Sequence, residues 1–171
     1  MTKEELQKLV SSWENLWVVK VNGVDLTPSF PLLMEMALEG NDASGWRASW
    51  VADKIAWKNR ALLAPYCRRI IDALPVLNHT GKKRQFLRMV TCCKVDPDVA
   101  GWLFDYCQGL LFDSGETVAI KAYAMQILYN LSEEQPGLKP EVSETIRQIM
   151  EISHEPGIQA RCRNLLKRLA R

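Results

Sequence analysis

The chain lacks a long apolar run, is poor in histidine, and carries no short motif of known chemistry. No stretch of its 171 residues approaches the ~20 apolar positions a membrane-spanning helix needs, so no membrane role is expected. The start, MTKEELQKLV, has acids where a secretory leader has a basic patch and an apolar core, which points away from export. Two histidines, His79 and His154, and five cysteines fall at no zinc or other metal-ligand spacing. No metal and no cofactor are therefore expected. Phosphate-binding glycine loops, dinucleotide fingerprints and Ser-His-Asp arrangements are missing as well, which leaves an enzyme without a positive sign and assigns no catalytic residue. An odd cysteine count without an export signal favours free thiols in the cytoplasm.

What the chain does have is repetition. With 47% hydrophobic and 25% charged residues it is globular in composition, and four segments align: WRASWVADKIAW, KRQFLRMVTCC, IKAYAMQILYNL and IQARCRNLLKRL. Anchored on Ala48, Arg84, Ala122 and Ala160, they recur at offsets of 36, 38 and 38 residues. Five positions beyond the anchors stand Asp53, Met89, Ile127 and Leu165; nine beyond stand Trp57, Cys93, Leu131 and Leu169. Spacings of three and four place such residues on one helical stripe. Between these segments a second set aligns, with Cys67, Leu103 and Val142 in register. Each unit is thus two helices. Asp96-Pro97, Thr80-Gly81 and Ser114-Gly115 are the expected helix starts, and Pro140 and Pro156 open the later helices.

A less regular pair occupies residues 1–40 ahead of regular repeats over 41–171. Leu6, Leu9, Val10, Trp13, Leu16 and Trp17 form one stripe, and Phe30, Leu33, Met34, Ala37 and Leu38 another. The intervening VVKVNGVDL reads as an irregular loop, because an isolated two-stranded hairpin at its Asn-Gly is marginally stable.

A helix pair buries too little apolar surface alone, whereas stacked copies share a core. The expected fold is all-α, a right-handed α-α superhelix of about four helix pairs in one domain over 1–171. Period and helix content resemble HEAT or armadillo repeats. The stretch from Trp46 to Leu169, with KAYAMQILYNL, Leu138-Lys139-Pro140-Glu141 and ARCRNLLKRL, also resembles a family of small bacterial HEAT-like proteins. That resemblance implies the fold and brings no activity. Within the repeats, Cys67, Cys93, Cys107 and Cys162 stand where other copies place Leu, Val, Ile or Trp, so they read as small core residues.

Two constellations offer sites. Trp46, Trp50, Asp53 and Trp57 lie on one face of the first regular helix. Asp53 breaks a row of apolar residues and needs a cation if buried; Arg68, Arg69 and Arg84 are the candidates. The stripe reads either as core with an internal salt bridge, or as a nucleic-acid site. The second reading draws on the resemblance to HEAT-like DNA glycosylases for alkylated purines, which hold the lesion with tryptophans beside a catalytic aspartate. Trp50, Asp53 and Trp57 are similar in residue type, but no motif aligns by position and no catalytic role is carried over.

The other constellation is electrostatic. From Arg47 to Lys94 eleven basic residues face two acids, a net of +9 inside a chain whose total is +2. Arg47, Lys83 and Lys121 hold equivalent repeat positions, and Arg84 and Arg88 lie one turn apart beside them. This basic row is the candidate contact surface, unless its charge is solvated or paired with aspartates nearby. The pI near 8.3 is below the value expected of a dedicated nucleic-acid domain. The expected function is a non-enzymatic interaction module whose partner is another protein, with nucleic acid as the alternative.

Overall fold

The computed structural model describes residues 1–40 and 42–171 and is helical throughout, with no strand among the described residues. It resolves into two compact units, Met1–Lys94 and Val95–Arg171. The first holds α1 (Lys3–Val10), α2 (Trp13–Val21), α3 (Phe30–Glu39), α4 (Ala43–Lys58), α5 (Cys67–Ala73) and α6 (Thr80–Val90). The second holds α7 (Pro97–Phe112), α8 (Val118–Glu134), α9 (Lys139–Ile152) and α10 (Pro156–Leu169).

The N-terminal stripe does not make one helix. Ser12 adopts an extended backbone and its hydroxyl accepts the Asn15 amide at 3.2 Å, so a new helix starts at Trp13. That cap turns the chain: Leu6, Leu9 and Val10 stay buried, whereas Trp13 and Trp17 face outward. VVKV, expected as loop, continues α2. The Asn-Gly that suggested a turn ends the helix instead, with Gly23 at φ +67°, the left-handed conformation common just past a helix C-terminus.

The close packing of α3 on α4 follows from small residues. Gly45, Ala48, Ser49, Ala52 and Ala56 are all buried and share one face of α4 at i, i+3, i+4, i+7 and i+11, opposite buried Phe30, Leu33, Met34 and Ala37. A Cβ built at Gly45 would lie 2.3 Å from the Gly40 carbonyl oxygen, so only glycine fits there.

The second unit follows the repeat closely. Ala124, Ile127, Leu131, Cys162, Leu165 and Leu169 are buried, as are Leu103, Cys107, Val142 and Ile146. Pro97, Pro140 and Pro156 stand in the first turns of α7, α9 and α10 as expected. Two caps differ from expectation. The Asp96 side chain makes no cap bond, and α8 starts at Thr117, whose hydroxyl accepts the Ile120 amide, rather than at Ser114-Gly115. In the first unit α6 is capped by His79 Nδ1, which accepts the Lys82 amide at 3.3 Å.

The cysteines require a correction. Cys67 and Cys93 form a disulfide with Cα atoms 5.6 Å apart, inside the range such bonds need, while Cys92, Cys107 and Cys162 are free. Periodicity assigned Cys67 and Cys93 each to its own stripe and could not show that the start of α5 lies against the residues just past α6. Burial pushes the Cys107 and Cys162 thiols up from their ordinary range, so these two are the inert core groups the repeat implied. No helix among the described residues is long and apolar enough to cross a membrane.

Candidate functional site

Asp53 is buried on α4 and pairs with Arg88 of α6, whose Nη1 donates to Oδ2 at 2.7 Å. The cation is therefore none of the three expected. Arg68 pairs with Asp72 at 2.9 Å and Arg69 with Glu35 at 2.6 Å, while exposed Arg84 adds only a longer-range attraction. Burial pushes the Asp53 carboxyl above its ordinary pKa, and the Arg88 charge opposes that shift. A buried ion pair of this kind ties two helices together and is costly to break at one end.

Arg88 also lies over the Trp57 ring, its guanidinium carbon 4.1 Å from the centroid, and Arg60 lies over the same ring at 5.0 Å. Trp57 is 48% exposed, although Leu131 and Leu169 fill the equivalent place in later repeats and are buried. Trp50 keeps an ammonium above it as well, Lys54 Nζ at 5.5 Å, and Lys20 Nζ sits 5.2 Å from the Trp17 ring. Trp13 meets Trp46 and Trp50 edge-on, each with centroids 5.2 Å apart. Part of the tryptophan stripe thus packs on α2, as the core reading expected, and part of it faces solvent.

Between α2, the 24–27 connection and α4 lies a hollow of about 540 Å³. Apolar side chains make up much of its lining, with Leu16, Val24, Leu26, Val51 and Ile55 beside Trp50 and Trp57. A neighbouring hollow of about 550 Å³, lined by Trp13, Trp17 and Val18, shares Leu16, Lys20 and Trp50 with the first. Lys20, Lys54 and Lys58 reach the rim. None of these lysines, nor Arg60, takes part in the ion pairs found among the described residues. Asp25 is nearby, but a hydrogen bond from Thr27, more than the charge of Lys58, holds its carboxyl below the usual range.

The expected basic row is used differently. The Arg47 guanidinium donates to the carbonyls of Val10 and Ser11, satisfying acceptors that the end of α1 leaves open. Lys83 is half-buried, Arg84 is exposed, and Arg88 is held by Asp53 and Trp57. Lys121 is half-buried on α8 of the second unit. The structure thus gathers Trp50, Asp53, Trp57 and Arg88 into one place and leaves Arg47 facing another helix end. Trp13, Trp17 and Lys20 were not among the sequence candidates; the signal for them was the Ser11-Ser12 pair, a capping sequence inside an apolar stripe. Among the described residues no cluster of His, Cys, Asp and Glu could hold a metal ion.

A family model described as a HEAT repeat domain matches residues 24–169. No curated protein matches the chain, and no solved structure matches it.

Proposed function

The chain belongs to the HEAT repeat family, and from that premise we propose that it is a non-enzymatic module that binds another protein through its first unit. Helical repeats of this class generally present extended faces to macromolecular partners. The observation that carries the reading is the set of solvent-facing tryptophans on two adjoining hollows, Trp13 and Trp17 on one and Trp57 on the other, beside lysines and an arginine without ion-pair partners. Contiguous exposed apolar surface with a polar rim marks interaction sites, and tryptophan and arginine dominate binding energy where they are found. The basic residues Arg84 and Lys83 on α6 extend the same contact region in this reading, whereas Arg47 serves the end of α1. A cytoplasmic location belongs to the proposal too, supported by three free thiols out of five cysteines; the Cys67–Cys93 bond argues against it.

The test is site-specific photocrosslinking in cells, with a benzophenone side chain at position 17 or 57 and, as control, at exposed Ile152 of the second unit. Discrete adducts that protease removes and nuclease does not, formed at 17 and 57 and absent at 152, are expected. Adducts of equal yield at all three positions, or none, would overturn the reading. Cations over aromatic rings also suit single-stranded nucleic acid, the second reading. For it, a gel-shift titration should show binding at low salt that collapses steeply as salt rises.

A further inference from the structure

Resting on that protein-binding reading, we propose that the occupant of the paired hollows is an amphipathic helix with an acidic flank, its apolar side chains entering between α2 and α4. Two features of the site argue for this chemistry. Leu16, Val24, Leu26, Val51 and Ile55 give the lining a large aliphatic share, which favours hydrocarbon side chains over a sugar–phosphate chain. Lys20, Lys54 and Lys58 on the lining have no carboxylate in ion-pair range, whereas Arg88 on the same lining holds Asp53, and Arg68 and Arg69 elsewhere in the unit hold Asp72 and Glu35. Asp53 and Asp25 act on Lys54 and Lys58 only at longer range, and exposed cations beside an apolar depression suit a partner that brings both negative charge and an apolar face.

The helical form follows from what the fold can offer. With no strand among the described residues, a bound segment has no sheet edge on which to pair its backbone. Over a largely aliphatic lining it must satisfy its own amides and carbonyls, and a helix laid in a groove does so. Two hollows that share Leu16, Lys20 and Trp50 accommodate successive anchors from one helix face. Asp25 and Glu14 on the lining disfavour a uniform polyanion and restrict where the partner's carboxylates can sit.

The experiment uses the full chain and three probes: a 20-residue Leu/Trp/Glu amphipathic peptide labelled with a fluorophore, the same peptide with lysine for every glutamate, and a labelled 20-mer of thymidylate. Fluorescence anisotropy should show the acidic peptide binding at least about tenfold more tightly than either other probe. The triple variant Lys20→Glu, Lys54→Glu, Lys58→Glu should lose about tenfold or more of that affinity, a size typical of several rim charges acting together. Trp17→Ala should weaken binding with little change in its salt dependence. Circular dichroism of each variant confirms the fold, since the four side chains are exposed. Equal binding of both peptides, no response to charge reversal, no binding, or tighter binding of the oligonucleotide would each overturn the proposal. Crosslinks at 17 and 57 to a protein lacking an acidic helix would leave the module reading standing while this inference fails.

Discussion

Trp57 and Leu131 hold the same place in their respective repeats, yet Leu131 is buried and Trp57 stands half in solvent with two arginines over it. The pair summarises how the units differ. In 95–171 the stripe positions carry aliphatic residues or cysteine and close on one another, and the unit is net acidic. In 1–94 the α6 copy keeps buried Phe86 and Met89, but the α4 copy carries Trp50, Asp53 and Trp57 at the same positions, and the unit holds five of the six tryptophans. A repeat position is a geometric place and does not guarantee burial. When its occupant is too large or too polar for the core, the position becomes surface unless a neighbour covers it. In the first unit α2 covers Trp50 in part and leaves Trp57 open.

The largest test of the difference is the disulfide. It closes a sequence separation of 26 residues within the first unit, and cross-linking a loop of that length contributes about 3–4 kcal/mol by restricting the unfolded chain. Replacing Cys67 and Cys93 with serine, or adding dithiothreitol, should therefore lower protection from hydrogen exchange in α4, α5 and α6 by that amount. Helices α8 to α10, whose Cys162 is already free, should keep theirs. Unchanged exchange in the first unit would mean that the bond contributes nothing to its stability.

A smaller effect is expected at Asp53. Asp53→Ala leaves Arg88 without its carboxylate, and the loss should be about 2 kcal/mol in urea denaturation, below the ~3–5 kcal/mol of a fully buried pair because the Arg88 side chain is 21% exposed. Arg88→Met combined with Asp53→Ala should recover much of it, since both halves of the pair then go. The pH dependence carries a sign. Burial raises the Asp53 pKa in the folded protein, so its contribution becomes more favourable as pH falls through the raised value toward 3.8. Glu35 behaves oppositely: Arg69 holds it below 4.5, and its contribution is present above 4.5 and lost as pH falls through the lowered value. Removing Asp53 should leave only the second trend.

Much of this architecture was legible in the spacing of apolar residues. The offsets among Ala48, Arg84, Ala122 and Ala160 located four helices, and Pro140 and Pro156 located two starts, because periodicity and proline act on the local backbone. Contacts distant in sequence were not legible. That Arg88 rather than Arg84 reaches Asp53 depends on the rotation of α6 against α4. That Cys67 meets Cys93 depends on how far α5 runs before its turn. The surface site was hidden by a related effect: Ser12 broke a stripe that looked continuous, and its cap moved Trp13 and Trp17 from expected core to surface.

The smallest test concerns the second unit alone. Thr117 caps α8 with a long 3.4 Å bond to the Ile120 amide, whereas Thr2 and Glu5 cap α1 reciprocally at 3.2 and 2.7 Å. N-cap replacements by alanine cost about 0.5–2 kcal/mol, and a bond this long belongs near the bottom of that range. Thr117→Ala should thus reduce exchange protection in α8 and its neighbours α9 and α10 by about 0.5–1 kcal/mol. The amides of α3 and α4 should not respond. If they lose protection by the same amount, unfolding is shared along the chain, and the contrast between the units lies in what their surfaces carry rather than in how each is held together.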